Sequence, residues 1–279
     1  MSKLPWDMSG KVVLITGGNA GIGYGFARGI AKAGGDVVIW GRRQEKNESA
    51  AQQLRDEFGI RVLAQSVDVG DEQAVVDAMA IAVTEMGRID GAIANAGIMT
   101  HAKSFLEMTG EMYHGLLDIN QHGAMYVARE AAKHMKERFD AGDPGGSILF
   151  CASLSALTGS AGMQHYNAAK GAVASMARGI AVDLGVYGIR ANTVCPGYTV
   201  SETVKDKGPE SPLGKQVRER TPIPRFGTIE DFEGVGVYFM SDASRFHSGD
   251  LVKIDGGWMA NAGKANIANL AQRYSSEQI

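Results

Sequence analysis

Residues 12–35 read Val-Val-Leu-Ile-Thr-Gly-Gly-Asn-Ala-Gly-Ile-Gly-Tyr-Gly-Phe-Ala-Arg-Gly-Ile-Ala-Lys-Ala-Gly-Gly. Val12–Ile15 is an apolar run without alternation, the pattern of a strand covered on both faces. A glycine-rich turn, Thr16–Gly23, follows, and then an Ala/Ile-rich helix that stops at Gly34-Gly35, a pair suited to a left-handed C-cap. A turn of this kind lets backbone approach a pyrophosphate, whose charge the helix N-terminus favours. Gly17, Asn19, Gly21, Ile22 and Gly23 are therefore candidate cofactor-binding residues. The spacing is Thr-Gly-x-x-x-Gly-x-Gly, and no Gly-Lys-Ser/Thr follows, which disfavours ATP or GTP hydrolysis.

The alternation continues outward. Strands are expected at Lys11–Thr16, Asp36–Trp40, Arg61–Val67, Gly91–Ala94, Ser147–Ala152, Ile189–Val194 and Leu251–Ile254. Helical patterns lie near 21–33, 45–58, 72–86, 111–138, 163–186 and 230–241, the last opened by Thr228 and Asp231 as a capping box. Repeated strand–helix order predicts an α/β, doubly wound, Rossmann-like fold with a mostly parallel seven-stranded sheet and helices on both faces. No linker or composition shift divides residues 1–279, so one domain is expected. Val200–Phe226, rich in Pro, Lys and Arg, reads as a lid or as a solvated loop. The extension past Met259 carries an Ala-rich helical pattern over 262–274.

Bulk properties exclude several classes. A net charge of −3 over 279 residues gives no reason to expect nucleic acid or an anionic membrane surface. No stretch approaches the ~20 apolar residues that span a bilayer. Cys151 and Cys195 sit in apolar runs, so neither a disulfide framework nor a metal site is expected. A cytoplasmic enzyme is the natural expectation.

Two further places carry chemistry. The second strand ends at Trp40-Gly41-Arg42-Arg43, where an NAD site would carry an acidic residue about 20 positions past the glycines. Without that carboxylate, a guanidinium can pair with a 2′-phosphate, which favours NADP(H), with Arg42 ahead of Arg43 and NAD(H) as the alternative. Tyr166 and Lys170 stand four apart in a helical pattern, and Lys170 is the only lysine so placed after any of the 8 tyrosines. Their Cβ atoms would lie about 5–6 Å apart on one face, close enough for an ammonium to favour a phenolate. Ser153, brought alongside, could hold a carbonyl or alcohol oxygen.

In these motifs the chain resembles the short-chain dehydrogenase/reductase family, in its single-domain branch, from about Gly10 to Trp258. The match runs in order through Thr16–Gly23, Asp68, Asn95-Ala96-Gly97, Asn120, Ser153, Tyr166-x-x-x-Lys170, Pro196-Gly197 and Asp255-Gly256-Gly257. The resemblance implies hydride transfer between NADP(H) and a secondary alcohol or ketone. It makes Tyr166 the general acid/base and Lys170 its activator and a nicotinamide-ribose ligand. Ser153 becomes the anchor of the substrate oxygen, and Asn120 the residue that orders a proton-relay water. It puts Asp68 and Val69 at the adenine and Asn95 and Gly97 beside the cofactor. Pro196, Gly197, Thr199 and Ser201 fall at the nicotinamide carboxamide, with Thr203 a substitute for Ser201. Ile98, Met99, Leu154, Ser155, Gln164, His165 and Tyr198 would surround the substrate, with His101 and His165 as ordinary surface or rim residues. A homodimer or homotetramer built on the helices near 111–138 and 163–186 is also implied. Two departures are noted: Ala20 stands where many NADP-using relatives have a basic residue, and Ser201 where threonine is common.

Three functions compete on the sequence. The oxidoreductase uses Ser153, Tyr166, Lys170 and Asn120 together; a non-catalytic dinucleotide sensor on the same fold would have no need of them. A sugar epimerase or dehydratase with bound NAD, or an NAD-using sugar or polyol dehydrogenase, completes the set.

Overall fold

Strand burial accounts for strand composition. In the computed structural model, which describes residues 4–200, 210–261 and 266–267, all five residues of β1 (Val12–Thr16) are buried. Its side chains alternate between two cores: Val12 and Leu14 pack on one face, Val13 and Ile15 on the other. Each fully buried Val, Leu or Ile contributes about 1.5–3 kcal/mol of transfer free energy, so a strand of this kind holds only between two helical layers. The other strands are β2 (Asp36–Gly41), β3 (Val62–Ser66), β4 (Gly91–Ala94), β5 (Gly146–Cys151), β6 (Ile189–Pro196) and β7 (Leu251–Ile254). All pair in parallel, in the order β3-β2-β1-β4-β5-β6-β7.

Helices α1 (Gly21–Lys32), α2 (Gln44–Phe58), α3 (Glu72–Met86), α4 (Gly110–Leu117), α5 (Ala124–Asp140), α6 (Gln164–Leu184), α7 (Pro212–Arg220), α8 (Glu233–Met240) and α9 (Trp258–Asn261) complete the described elements. Val75 and Met79 of α3, Val127 and Met135 of α5, and Val173 of α6 cover the Val12/Leu14 face. Phe26 and Ile30 of α1, Leu54 of α2, and Phe239 and Met240 of α8 cover the other. This is the Rossmann-like, doubly wound sheet that the sequence predicts.

Strand order reverses between β1 and β4, because the chain winds outward to β3 and then returns past β1. In open parallel sheets the crevice at such a switch point, beyond the carboxyl ends of the strands, is where ligands bind. Here it lies between the Thr16–Gly23 turn and Asn95-Ala96-Gly97.

Local signals are also realised. Gly34 takes a left-handed φ of +86° after α1. The Thr228 amide donates to Asp231 Oδ2 at 2.8 Å, opening the turn Ile229–Phe232 that leads into α8. Two expectations change. The single helix near 111–138 is two helices, α4 and α5, joined by a π-helical turn at Asp118–Gly123 that contains Asn120. The Val200–Phe226 stretch holds an ordered helix, α7, opened by Ser211, whose Oγ accepts from the Gly214 amide at 3.0 Å, with Pro212 just inside it. Ser201, Thr203 and nearly all of the 262–274 helical pattern lie outside the described residues.

Candidate active site

The crevice is tied across its floor. Thr16 Oγ1 accepts from the amides of Asn95 and Ala96, each at 2.9 Å, and Asn95 Nδ2 donates to the Thr16 carbonyl at 2.9 Å. Gly17 turns the chain with φ +65°. A Cβ on Gly23 would strike the Gly17 carbonyl and lie 2.5 Å from Asn95 Nδ2, so only glycine lets α1 start this close to the strand end. The residue before α1 is Ala20, and no side chain among the described residues caps the helix. Its first-turn N–H groups therefore face the crevice, with no acidic residue in that turn to compete for an anion.

The end of β2 explains why no carboxylate stands there. Asn47, fully buried in α2, donates from Nδ2 to the carbonyls of Gly41 (2.7 Å) and Gln65 (2.9 Å), and accepts from Asn19 Nδ2 at its Oδ1. A Cβ on Gly41 would stand 2.6 Å from Asn47 Oδ1 and 2.7 Å from Asn19 Nδ2. The amide bridge fills the place of an acidic side chain. Sequence reasoning missed Asn47, whose polar character suggests a surface position on an amphipathic helix. Arg42 and Arg43 are exposed immediately beyond, and Arg42 makes no ion pair among the described residues. Asp68, also exposed, accepts from the Gly70 amide at 3.0 Å. The Val69 side chain is core, packed where Gly123 lacks a Cβ, so only its backbone is available to a nucleotide.

Four more predicted residues come together at the ends of β4 and β5. Ser153 opens the short turn Leu154–Ala156, and its Oγ accepts from the Ser155 amide at 3.2 Å. That contact occupies a lone pair and leaves the hydroxyl proton free to donate outward. Tyr166 lies in the first turn of α6 and packs with Ile98 and Tyr113 on a small cluster of Leu116, Leu117 and Ala169. Lys170, one turn on, is 5% exposed; its Nζ donates to the Cys151 carbonyl at 2.9 Å and stands 5.7 Å from the Tyr166 ring centroid. Asn120 is buried, with Oδ1 accepting from the Ile98 amide and Nδ2 donating to the Ile98 carbonyl, both at 2.8 Å. Its amide group thus grips the backbone after β4, and Gly97 leaves room for it.

The far wall follows β6. Gly197 donates to the Ile254 carbonyl at 2.9 Å, and a Cβ there would lie 2.7 Å from Asp255 Cα. Thr199 is buried and bridged to Gly227, while the Tyr198 ring meets Trp258 edge-on at 4.8 Å. Of the expected substrate-lining residues, Met99 and Tyr198 are exposed and Ile98, Ser155 and Gln164 half-buried. Two expectations fail: Leu154 is core, and His165 is fully buried rather than at a rim, with Nε2 hydrogen-bonded to Thr100 Oγ1 at 2.8 Å.

Burial pushes the thiols of Cys151 and Cys195 each up to about 11, so both stay protonated at neutral pH. No cluster of potential metal ligands occurs among the described residues, and none of their helices is long and apolar enough to cross a membrane.

Comparison with known proteins agrees with this geometry. A family model described as Enoyl-(Acyl carrier protein) reductase matches residues 17–259. The L-rhamnose 1-dehydrogenase (NAD(P)(+)) of Sphingomonas sp. (strain SKA58) is 35% identical over 256 residues, covering 91% of this chain and 98% of that protein. The gluconate 5-dehydrogenase of Burkholderia cenocepacia J2315, solved in complex with NADP and tartrate, superposes with TM-score 0.84 at 31% identity, over 92% of this chain and 98% of its own. A short-chain type dehydrogenase/reductase from Mycobacterium marinum superposes with TM-score 0.82 at 32% identity, over 91% and 97%. With the glycine turn, Ser153, Tyr166 and Lys170 in one crevice, the chain belongs to the short-chain dehydrogenase/reductase family and is an oxidoreductase of CH–OH and keto groups.

Proposed function

We propose that the chain interconverts a hydroxyl and a keto group on a polyhydroxylated substrate, a sugar or sugar acid, with NADP(H) as redox partner and Tyr166 as general acid/base. The observation that carries the reading is Lys170. Its ammonium is buried, has no carboxylate partner among the described residues, and is fixed on a backbone carbonyl beside a tyrosine ring. An uncompensated buried charge is expensive to maintain, and such groups mark functional sites. The rhamnose and gluconate dehydrogenases named above and the 5-keto-D-gluconate 5-reductase of Escherichia coli, 30% identical over 254 residues, support the substrate class.

This chain's residues fit the dinucleotide. The pyrophosphate would rest against the uncapped start of α1, beside the turn that Gly23 allows to close on Gly17 and Asn95. The Asn19–Asn47 bridge leaves no room for a carboxylate at the end of β2, so Arg42, with Arg43 next to it, would meet a 2′-phosphate without a competing acid at that position. Asp68 and the backbone at Val69 would border the adenine, and Gly197 and Thr199 the nicotinamide. Bound there, the cofactor supplies a hydride to the carbonyl carbon or accepts one from the carbinol carbon.

The protein's part is proton handling. In reduction, Tyr166 donates its phenolic proton to the substrate oxygen as the carbon gains hydride, giving the alcohol and a phenolate; Lys170 stabilises that phenolate. In oxidation the phenolate takes the hydroxyl proton. Ser153 donates its free O–H to the same oxygen, favouring the charge that develops there. Asn120 acts by holding Ile98 beside the tyrosine. Tyr166→Phe should lower kcat by about 10²- to 10⁴-fold while NADPH binding persists. A panel of 5-keto-D-gluconate, L-sorbose and a cyclic ketone run with NADPH and NADH, and of L-rhamnose run with NADP+ and NAD+, tests both parts; a phenylalanine variant at wild-type rate refutes the mechanism.

A homodimer or homotetramer is also proposed. Val182 and Val186, at and just beyond the end of α6, are 84% and 73% exposed, and Phe139 of α5 is partly exposed. Apolar side chains this open suit a helical face that a second copy covers. The two buried, reduced cysteines keep the cytoplasm as the proposed location.

A further inference from the structure

The backbone that leaves β4 is stitched at successive points to three different elements and to the loop that leads into one of them. Asn95 and Ala96 are held by Thr16 of β1, and Ile98 by Asn120 of the π-helical turn. Thr100 is held by His165 of α6, and the Ala102 amide by the Gly162 carbonyl at 2.9 Å. Between the tied positions, Gly97, Met99 and His101 are exposed. One stitch reaches the residue next to Tyr166, and the catalytic scheme above does not use it.

His165 is fully buried, and burial, reinforced by nearby His101, holds its imidazole below the ordinary histidine value, so the ring is neutral near pH 7. A ring that merely filled this space could be apolar; a buried imidazole needs a partner, and Thr100 Oγ1 supplies it. The second tie in the same place is equally close. Gly162 has φ +71°, and a Cβ on it would collide with the Ala102 carbonyl, so the loop lies directly against the segment that leads into α6.

We propose that His165 is a positioning residue and Thr100 its partner: the pair latches the 97–102 loop, with Met99 and His101, to the helix turn that carries Tyr166, and so sets how substrate fits against the acid/base. The proposal rests on the reading of Tyr166 given above. It makes the latch a determinant of substrate affinity rather than of proton transfer or cofactor binding.

The test uses the full chain and the substrate that wild type turns over fastest in the panel. Thr100→Val, in an exposed loop, breaks the bond and leaves His165 Nε2 without its partner, so a thermal melt accompanies it; His165→Phe removes the other partner; Thr100→Ser keeps the hydroxyl. The loss of one hydrogen bond predicts a rise in substrate KM of roughly 3- to 10-fold for Thr100→Val, with kcat within about 2-fold and the KM for NADPH unchanged. Thr100→Ser should restore wild-type KM, and the double variant should be no worse than the poorer single one. Unchanged substrate KM in Thr100→Val, or additive effects in the double variant, overturns the latch. Amide exchange in the NADP-saturated protein reads the same bond without turnover: Thr100→Val should speed exchange at Ala102, and unaltered exchange counts against the proposal. Wild type inert on the whole panel would instead sink the substrate class, while exchange still judges the latch.

Discussion

Helices α1 and α3 both follow a parallel strand of the same half-sheet, yet they begin in opposite ways. Asp71 closes the start of α3: its Oδ1 accepts from the amides of Gln73 (2.9 Å) and Ala74 (3.1 Å), and Glu72 adds negative charge to the first turn. The start of α1 has Ala20 at the cap, no side-chain acceptor among the described residues and no acid in the first turn. Ala20 has extended backbone (φ −163°, ψ 164°), fully compatible with a capping side chain, so the absence is one of residue type and not of geometry. A helix start left open at a topological switch point forgoes about 1 kcal/mol of folding stability and keeps its donors for a ligand. Helix α6, which carries Tyr166, likewise opens on Met163 without a cap or a first-turn acid. The closed start of α3 serves the fold; the open starts of α1 and α6 border the proposed chemistry.

The difference can be broken from the α1 side. Gly23→Ala should have the largest effect. The added methyl meets the Gly17 carbonyl and Asn95 Nδ2, so either the turn or the floor of the crevice must move. Overpacking of this kind lowers stability by about 1–3 kcal/mol. NADPH affinity should fall by roughly 100-fold, as read by fluorescence titration beside a thermal melt. A melt shift with unchanged affinity would mean that the turn does not hold the cofactor. Ala20→Asp is the sharper test, because it converts the α1 start to the α3 type. The new carboxylate would take first-turn amides and repel a pyrophosphate, so the apo protein should gain about 1 kcal/mol while NADPH binding weakens on the order of 10- to 30-fold. Opposite signs for the two quantities are the diagnostic. Arg42→Ala removes a charge farther along the same ligand. It should raise the KM for NADPH about 10-fold and leave that for NADH unchanged, and equal changes in both would remove the 2′-phosphate contact from the reading.

Much of the fold and of the candidate site was legible in the sequence, for a physical reason, although the capping contrast itself was not. Continuous apolar strands such as Val12–Ile15 and a glycine-rich turn at fixed spacing are local patterns, and so are the Tyr166–Lys170 interval and the Thr228/Asp231 box. Features decided by long-range approach were not. Asn47 reads as one polar residue among many on α2, and only its contact with Gly41, on another element, gives it meaning. His165 sits among polar neighbours in sequence and suggests a rim, whereas folding buries it against Thr100. Leu154, next to Ser153, is core because the turn after β5 directs it inward. The π-helical turn at Asp118–Gly123 leaves the apolar periodicity of a long helix almost unchanged, so composition alone does not reveal it. What marks it in the structure is the close pass of Gly123, where a Cβ would lie 2.8 Å from the Val69 carbonyl.

The smallest expected effect comes from the closed side of the comparison, and it is the control that gives the others their meaning. Asp71→Ala removes two accepted hydrogen bonds from the α3 start and leaves those amides to water. Loss of an aspartate cap costs about 0.5–2 kcal/mol, so the melting temperature should drop by a few degrees. Asp71 follows Asp68 and Val69 by only two or three residues, and the Asp71 amide donates to the Asp68 carbonyl at 3.1 Å. Proximity alone therefore does not separate the cap from the adenine end of the crevice. Chemistry does: the Asp71 carboxylate is directed into its own helix, and the exposed Asp68 is the group that would face a nucleotide in the proposed site. Asp71→Ala should then leave the KM for NADPH and for substrate unchanged within about 2-fold, whereas Asp68→Ala should move the NADPH value and not the melt. If Asp71→Ala weakened NADPH as Ala20→Asp does, the α3 start would belong to the cofactor site as well, and the division between closed and open helix starts would not hold in this molecule.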